Sequence, residues 1–121
     1  MGNTSFTDRS LTIEIHSDST VQVSWRGRST ARDPEQFILP ILTQALDTAG
    51  AEDKPLVLDF RHLEYMNSST VTPLIRVLGE ARKRNLQLTV LYDKKLNWQA
   101  LNFSALEVFH TEDNRIEIRG L

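Results

Sequence analysis

Cysteine is absent from all 121 positions. That excludes disulfides, thiolate metal sites and a cysteine nucleophile, and it favours a reducing compartment, since a small secreted domain usually needs covalent staples. A basic excess is missing too: the formal net charge is −2. This argues against nucleic acid as a partner, because phosphate contacts require a basic footprint. No apolar run is long enough to span a bilayer. The opening MGNTSFTDRS has neither the apolar core of a secretory signal nor Ser or Thr at position 6 for the myristoylation pattern. Residues 1–10 are therefore expected to be a flexible terminus, residues 11–121 a single domain, and the location cytoplasmic, away from any membrane.

The familiar catalytic patterns are missing as well. No Gly-x-Ser-x-Gly elbow surrounds a serine and no Gly-rich phosphate loop follows a strand. His16, His62 and His110 are scattered without metal-ligand spacing, and a lone loop histidine is more often simply solvated. Asp59 lies in an apolar strand pattern, where a satisfied structural carboxylate is the plainer account. No cofactor, no metal and no enzymatic activity is expected, and a small enzyme ranks last among the functions considered.

Hydrophobic periodicity is present in abundance. LTIEIH (11–16) and VQVSW (21–25) alternate apolar and polar residues around the turn cluster SDST, as an antiparallel hairpin does. Asp33, Pro34 and Gln36 read as a helix start, followed by Phe37, Ile38, Ile41, Leu42, Ala45 and Leu46 at helical spacing. Pro40 predicts a bend or a later start, and Gly50 a stop. PLVLDF reads as a strand buried on both faces. Val71, Leu74, Ile75, Leu78 and Ala81 mark one face of a second helix, with Arg82, Lys83 and Arg84 in its last turn, where cations complement the helix dipole. LQLTVLY is a further strand, then a helix with Trp98, Leu101, Ala105, Val108 and Phe109 on one side, then the short strand RIEIRGL. The order is β-β-α-β-α-β-α-β, an α/β domain with a mixed, mostly parallel sheet. Ile13, Val23, Leu42, Val57, Leu58, Leu74, Leu78, Val90 and Leu101 are expected in its core.

Parallel strands deliver their strand-to-helix loops to one edge of the sheet, where open α/β sheets usually carry function. Here 26–33, 61–69 and 92–97 should meet, bringing together Arg26, Arg28, Arg32, Arg61, His62, Lys94 and Lys95, diluted by Asp33, Glu64 and Asp93. Between them, in EYMNSSTVTPL, sit the adjacent Ser68 and Ser69. One role for such a pair is capping: a hydroxyl of either serine, or of Thr70, satisfies an orphan N–H of the coming helix, worth about 1 kcal/mol. The other is modification, because a phosphate at a helix N-terminus meets unpaired N–H groups and the positive dipole end, and so leaves the fold intact while changing a contact surface.

The stretch LVLDFRHLEYMNSSTVTPLIRVLGEARKRN resembles the core motif of the STAS domain, the domain of sulfate transporters and anti-sigma factor antagonists, and the element order extends the likeness over most of the chain. That family carries Asp-Ser-Ser-Gly at the turn, with Asn67 and Thr70 standing here for its Asp and Gly. Asn-Ser-Ser also occurs in a divergent group of small bacterial STAS-like regulators, which the chain further resembles through GRSTARDPEQF and NWQALNFSALEVF. The family's C-terminal helix is expected to be absent or short.

The resemblance implies a bacterial, non-catalytic switch protein. Ser69 aligns with the second serine, the phosphorylation site of the antagonists, with Ser68 as the alternative. It also implies an anti-sigma-type serine kinase, a PP2C-type phosphatase and a downstream regulated protein as partners. Arg28, Arg32 and His62 on the rim, with Asn67 and Thr70 flanking the serines, are the expected partner-binding residues. A constitutive module that binds protein or an anionic ligand without phosphorylation is the other function carried forward.

Overall fold

Strand alternation builds a two-layer molecule. The structure, a computed structural model, describes residues 2–121. Its strands are β1 (Gly2–Asp8), β2 (Leu11–Ser17), β3 (Val21–Ser29), β4 (Leu56–Met66), β5 (Leu88–Tyr92) and β6 (Ile116–Gly120). Its α-helices are α1 (Glu35–Glu52), α2 (Val71–Lys83) and α3 (Asn97–Ser104), and 3-10 turns occupy Ser68–Thr70 and Ala105–Phe109. All six strands form one sheet in sequence order. β1, β2 and β3 pair antiparallel, and β3 to β6 pair parallel. Each parallel neighbour is the next strand along the chain, so three right-handed crossovers put all three helices on the same face.

That face holds the core. Val23, Leu58 and Val90 lie side by side in register and are buried, as are Ile13 on β2 and Ile118 on β6. Trp25, Phe60, Phe103 and Tyr92 continue it as a row of ring contacts, with centroids 4.7, 4.7 and 5.8 Å apart. From α1 and α2 come Leu42, Leu74 and Leu78, all buried. The other face of the sheet carries no helix. Thr12, Glu14, Gln22, Ser24 and Glu117 lie on it, exposed or half-buried. Val57 is on this open side and only half-buried, so β4 is not covered on both faces as its apolar run suggested.

Several expectations are corrected. Of residues 1–10, Met1 lies outside the described residues, while Gly2–Asp8 is strand β1, paired residue for residue with β2, rather than a flexible terminus. The order therefore gains a strand. Helix α1 starts at Glu35 and runs through Pro40 without a later start. The Asp33–Gln36 capping box does not form: Gln36 Nε2 donates to Asp33 Oδ2 (3.0 Å), and the N–H groups of Phe37 and Ile38 go to the Pro34 carbonyl. Gly50 stays inside the helix, which ends at Asp53 in the left-handed conformation (φ 53°), with the Lys54 N–H bonded to the Ala49 carbonyl.

Leu101 is 75% exposed, not buried, and Val108 is 79% exposed. The inward stripe of this segment is Gln99, Phe103 and Leu106. Gln99 occupies a core position because its Nε2 donates to the carbonyls of Phe60 (2.7 Å) and Leu63 (2.9 Å), and its Oε1 accepts from the Asp93 N–H (2.8 Å). The edge strand β6 is closed by its own preceding loop: the Ile116 N–H donates to Thr111 Oγ1, the Thr111 N–H to the Ile116 carbonyl, and the Ile118 N–H to His110 Nδ1.

Candidate functional site

β3 and β4 leave the sheet together, with Ser29 opposite Met66. The β1–β2 turn joins them, because Leu11 pairs with Gly27 and the Arg28 N–H donates to the Ser10 carbonyl at 3.0 Å. Gly27 makes that approach possible. Its φ is +87°, and a Cβ there would stand 1.9 Å from the Ser10 carbonyl oxygen. The edge thus gathers the Arg9–Ser10 turn, the segment 30–34 and the serine turn 67–70. The third expected loop, 92–97, does not join them: β5 pairs with β4 only as far as Leu91 opposite Asp59, well before β4 ends at Met66, and Asp93 is tied through Gln99 to Phe60 and Leu63 instead. As expected, the segments after β3 and β4 share an edge; the hairpin turn is an addition.

The serine turn is capped by Asn67. Its backbone is extended (φ −81°, ψ 169°), and its Oδ1 accepts from the Thr70 N–H (3.2 Å) and the Thr70 hydroxyl (2.8 Å). Its Nδ2 donates to the Ala31 carbonyl (2.8 Å), and its N–H to the Ser29 carbonyl (3.0 Å). Ser29 Oγ lies 2.7 Å from Thr70 Oγ1, and both residues are buried. Neither serine caps, and Thr70 does not cap α2. Ser68 and Ser69 are exposed, and their hydroxyls make no hydrogen bond among the described residues. They occupy the first two positions after the cap, where backbone N–H groups have no helical acceptor. Pro73 offers no N–H for the Ser69 carbonyl.

The expected partner-binding residues divide. Arg32 is exposed on the segment next to Ala31, which Asn67 holds. Arg28 and His62 are exposed on the open face of the sheet. The Arg28 guanidinium lies over the Tyr65 ring, 4.9 Å from its centroid. His62 pairs with Arg26, four residues before the end of β4, which is about 13 Å along the strand from the serine turn. Thr70 is 0% exposed and has no side-chain surface for a partner. Asn67 is half-buried, with both ends of its carboxamide engaged internally. Both therefore shape the turn from beneath.

Two residues near the serines carry exposed apolar surface that the sequence pattern did not announce. Tyr65 is 40% and Ile75 41% exposed. Ile75 was read onto one helical face with Val71, Leu74, Leu78 and Ala81, but the buried stripe of α2 is Leu74, Val77, Leu78 and Ala81, and Ile75 lies about 100° round the helix from Leu74. That spacing was available as a signal. Tyr65 was hidden because β4 carries extra residues opposite β3 between Ser24 and Arg26 and between Gly27 and Arg28, which resets the alternation.

Charge on the open face is internally satisfied around Asp59, which is 4% exposed. Burial opposes its ionisation. Hydrogen bonds from the Arg61 side chain (2.8 and 3.0 Å) and backbone N–H (3.1 Å), with the nearby charges of Arg61 and His62, outweigh that and hold the carboxyl below its ordinary value. The same pairing raises the Arg61 guanidinium further. Among the described residues no three His, Cys, Asp or Glu side chains cluster as metal ligands, and no helix is long and apolar enough to cross a membrane.

No protein-family description matches the sequence, and no curated protein matches it. Solved structures do. SiaC of Pseudomonas aeruginosa shares 19% identity over 100% of this chain and 98% of its own, with a TM-score of 0.64. A chain from the crystal structure of the diguanylate cyclase SiaD in complex with its activator SiaC, from the same organism, shares 19% over 96% of this chain and 99% of that one, at 0.60. An anti-sigma factor antagonist from Mycobacterium paratuberculosis shares 20% over 88% and 91%, at 0.57. The fold is STAS-like, as the sequence motif implied.

Proposed function

We propose that the chain is a non-catalytic bacterial regulator that acts in the cytoplasm by binding a partner protein and is switched by phosphorylation of Ser69, with Ser68 as the neighbouring alternative. One observation carries this. Asn67 does the capping, so two exposed hydroxyls at a helix N-terminus have no structural employment. A phosphoryl group on Ser69 adds about −1.5 to −2 charges beside unpaired backbone N–H groups and the positive end of the helix dipole, so the fold accommodates it. A partner seated over Ser69, Arg32 and the exposed Ile75 would meet that charge at a desolvated contact. The partners proposed are an anti-sigma-type serine kinase, a PP2C-type phosphatase that resets the switch, and a downstream regulated protein. That SiaC, a protein of the same fold, forms a complex with SiaD supports partner binding as the mode of action.

Mass spectrometry of the chain recovered from its native cell, and after incubation with an anti-sigma-type serine kinase purified from that cell, tests the proposal. Phosphate on Ser69 is expected, lost in Ser69→Ala. Ser69→Asp should keep the wild-type melting temperature and weaken partner binding more than tenfold, as loss of a contact worth about 2 kcal/mol does. Phosphate found only outside 68–70, or none in either sample, refutes the switch and leaves a constitutive binding module.

A further inference from the structure

The hydrogen bonds beneath the serines run in one direction. Asn67 Oδ1 can only accept, so the Thr70 hydroxyl, 2.8 Å away, spends its single proton there. Ser29 Oγ, 2.7 Å from Thr70 Oγ1, must therefore be the donor of that pair. Asn67 Nδ2 then donates to the Ala31 carbonyl at 2.8 Å. The chain of bonds leaves the end of β3 at Ser29, enters the serine turn through Thr70 and Asn67, and returns to the same segment at Ala31. Ser29 and Thr70 are buried, where such bonds polarise one another and no water competes. The Asn67 N–H bond to the Ser29 carbonyl, 3.0 Å, runs beside it.

We infer that Asn67 is a positioning residue whose carboxamide locks the segment 30–34, and Arg32 with it, to the serine turn, so that a change of charge at Ser69 is felt at Arg32. The requirement is for an amide specifically. A carboxylate at 67 would still accept from Thr70 and still cap, since Asp is as good an N-cap as Asn. It cannot donate, however, and would set two acceptor oxygens against each other where Nδ2 now meets the Ala31 carbonyl. Replacing the amide by a carboxylate therefore severs one link of the circuit and leaves the rest. Coupling of this kind is reciprocal, so a partner gripping Arg32 would bias the serine turn in return.

The test uses backbone amide NMR on the full chain and needs no kinase, so it stands or falls apart from the phosphorylation proposal. With Asn67 present, Arg32 should show the order parameter of rigid backbone, about 0.85, and Ser69→Asp should shift the Arg32 amide and the Asn67 side-chain amide together. In Asn67→Asp the Arg32 value should fall below about 0.6 while Thr70 and β5 stay rigid, and Ser69→Asp should no longer reach Arg32. An Arg32 amide that answers Ser69→Asp equally in both backgrounds, or stays rigid in Asn67→Asp, overturns the inference. Should Asn67→Asp fail to fold, the first comparison decides alone: an Arg32 amide indifferent to Ser69→Asp in the Asn67 protein refutes the coupling.

Discussion

Thr70→Val removes one oxygen from a fully buried site and keeps the side-chain shape. It takes away the acceptor for the Ser29 hydroxyl, which is itself 1% exposed, and one of the two donors to Asn67 Oδ1. Asn67 Oδ1 keeps the Thr70 N–H at 3.2 Å, so the principal cost is the stranded Ser29 hydroxyl. An orphaned buried polar group costs about 1–3 kcal/mol. For a chain of 121 residues the unfolding entropy is about 0.25 kcal/mol per kelvin, so the melting temperature should drop by about 4–12 °C. Ser29→Ala alone should cost about 1 kcal/mol, because Thr70 keeps its own acceptor in Asn67. The double variant strands no hydroxyl and should be more stable than the two single losses predict, by about 1 kcal/mol. Urea unfolding of the four proteins measures this as a shift in midpoint at constant slope. Losses that add to within about 0.3–0.5 kcal/mol would mean that the two hydroxyls are not coupled, and the directed chain of bonds would be refuted.

Three further outcomes are expected. Leu58→Ala, at a site 1% exposed between Val23 and Val90, should cost about 2–5 kcal/mol in chemical unfolding; no loss would contradict its place in β4. Gly27→Ala and Gly79→Ala should have opposite signs. The first forces a Cβ into the Ser10 carbonyl at positive φ, whereas the second places one in open space on a helix and should stabilise by about 0.5–1 kcal/mol. Asp59 is held below its ordinary value, so its stabilisation is complete above the unfolded carboxylate range and disappears as pH falls through the lower folded value. Stability measured from pH 7 downward should therefore steepen in its decline below about pH 4 in wild type, and less so in Asp59→Asn; parallel curves would contradict the lowered value.

Where side chains follow a single local period, the sequence disclosed the structure. Ile13 and Val23 were identified by alternation, Leu58 by a continuous apolar run, Val90 by the strand segment LQLTVLY, and Leu42, Leu74 and Leu78 by helical spacing; all are buried. Long-range partnership was invisible. GNTSFTD carries only Phe6 as an apolar signal, and it becomes a strand because β2 offers a free edge. Leu101 and Val108 were placed inside because they are apolar, while polar Gln99 took the core position by meeting two carbonyls of β4, which no local pattern reveals. The same applies at the turn. A serine was a reasonable cap in isolation, but the carboxamide of Asn67 accepts from Thr70 at one end and donates at the other to Ala31, a residue 36 positions away in the chain.

The guarded rim at β6 bears on how this molecule survives at high concentration. An outermost strand with open N–H and C=O groups is a template on which foreign strands can grow into aggregates. Here the Thr111 backbone and hydroxyl face Ile116 and the His110 ring faces Ile118, so an invading strand would first have to evict a loop of the same chain. Growth of the sheet past β6 is thereby blocked from within. A protein built this way can offer exposed apolar side chains such as Ile75 for brief docking without inviting irreversible strand-to-strand polymerisation along that border.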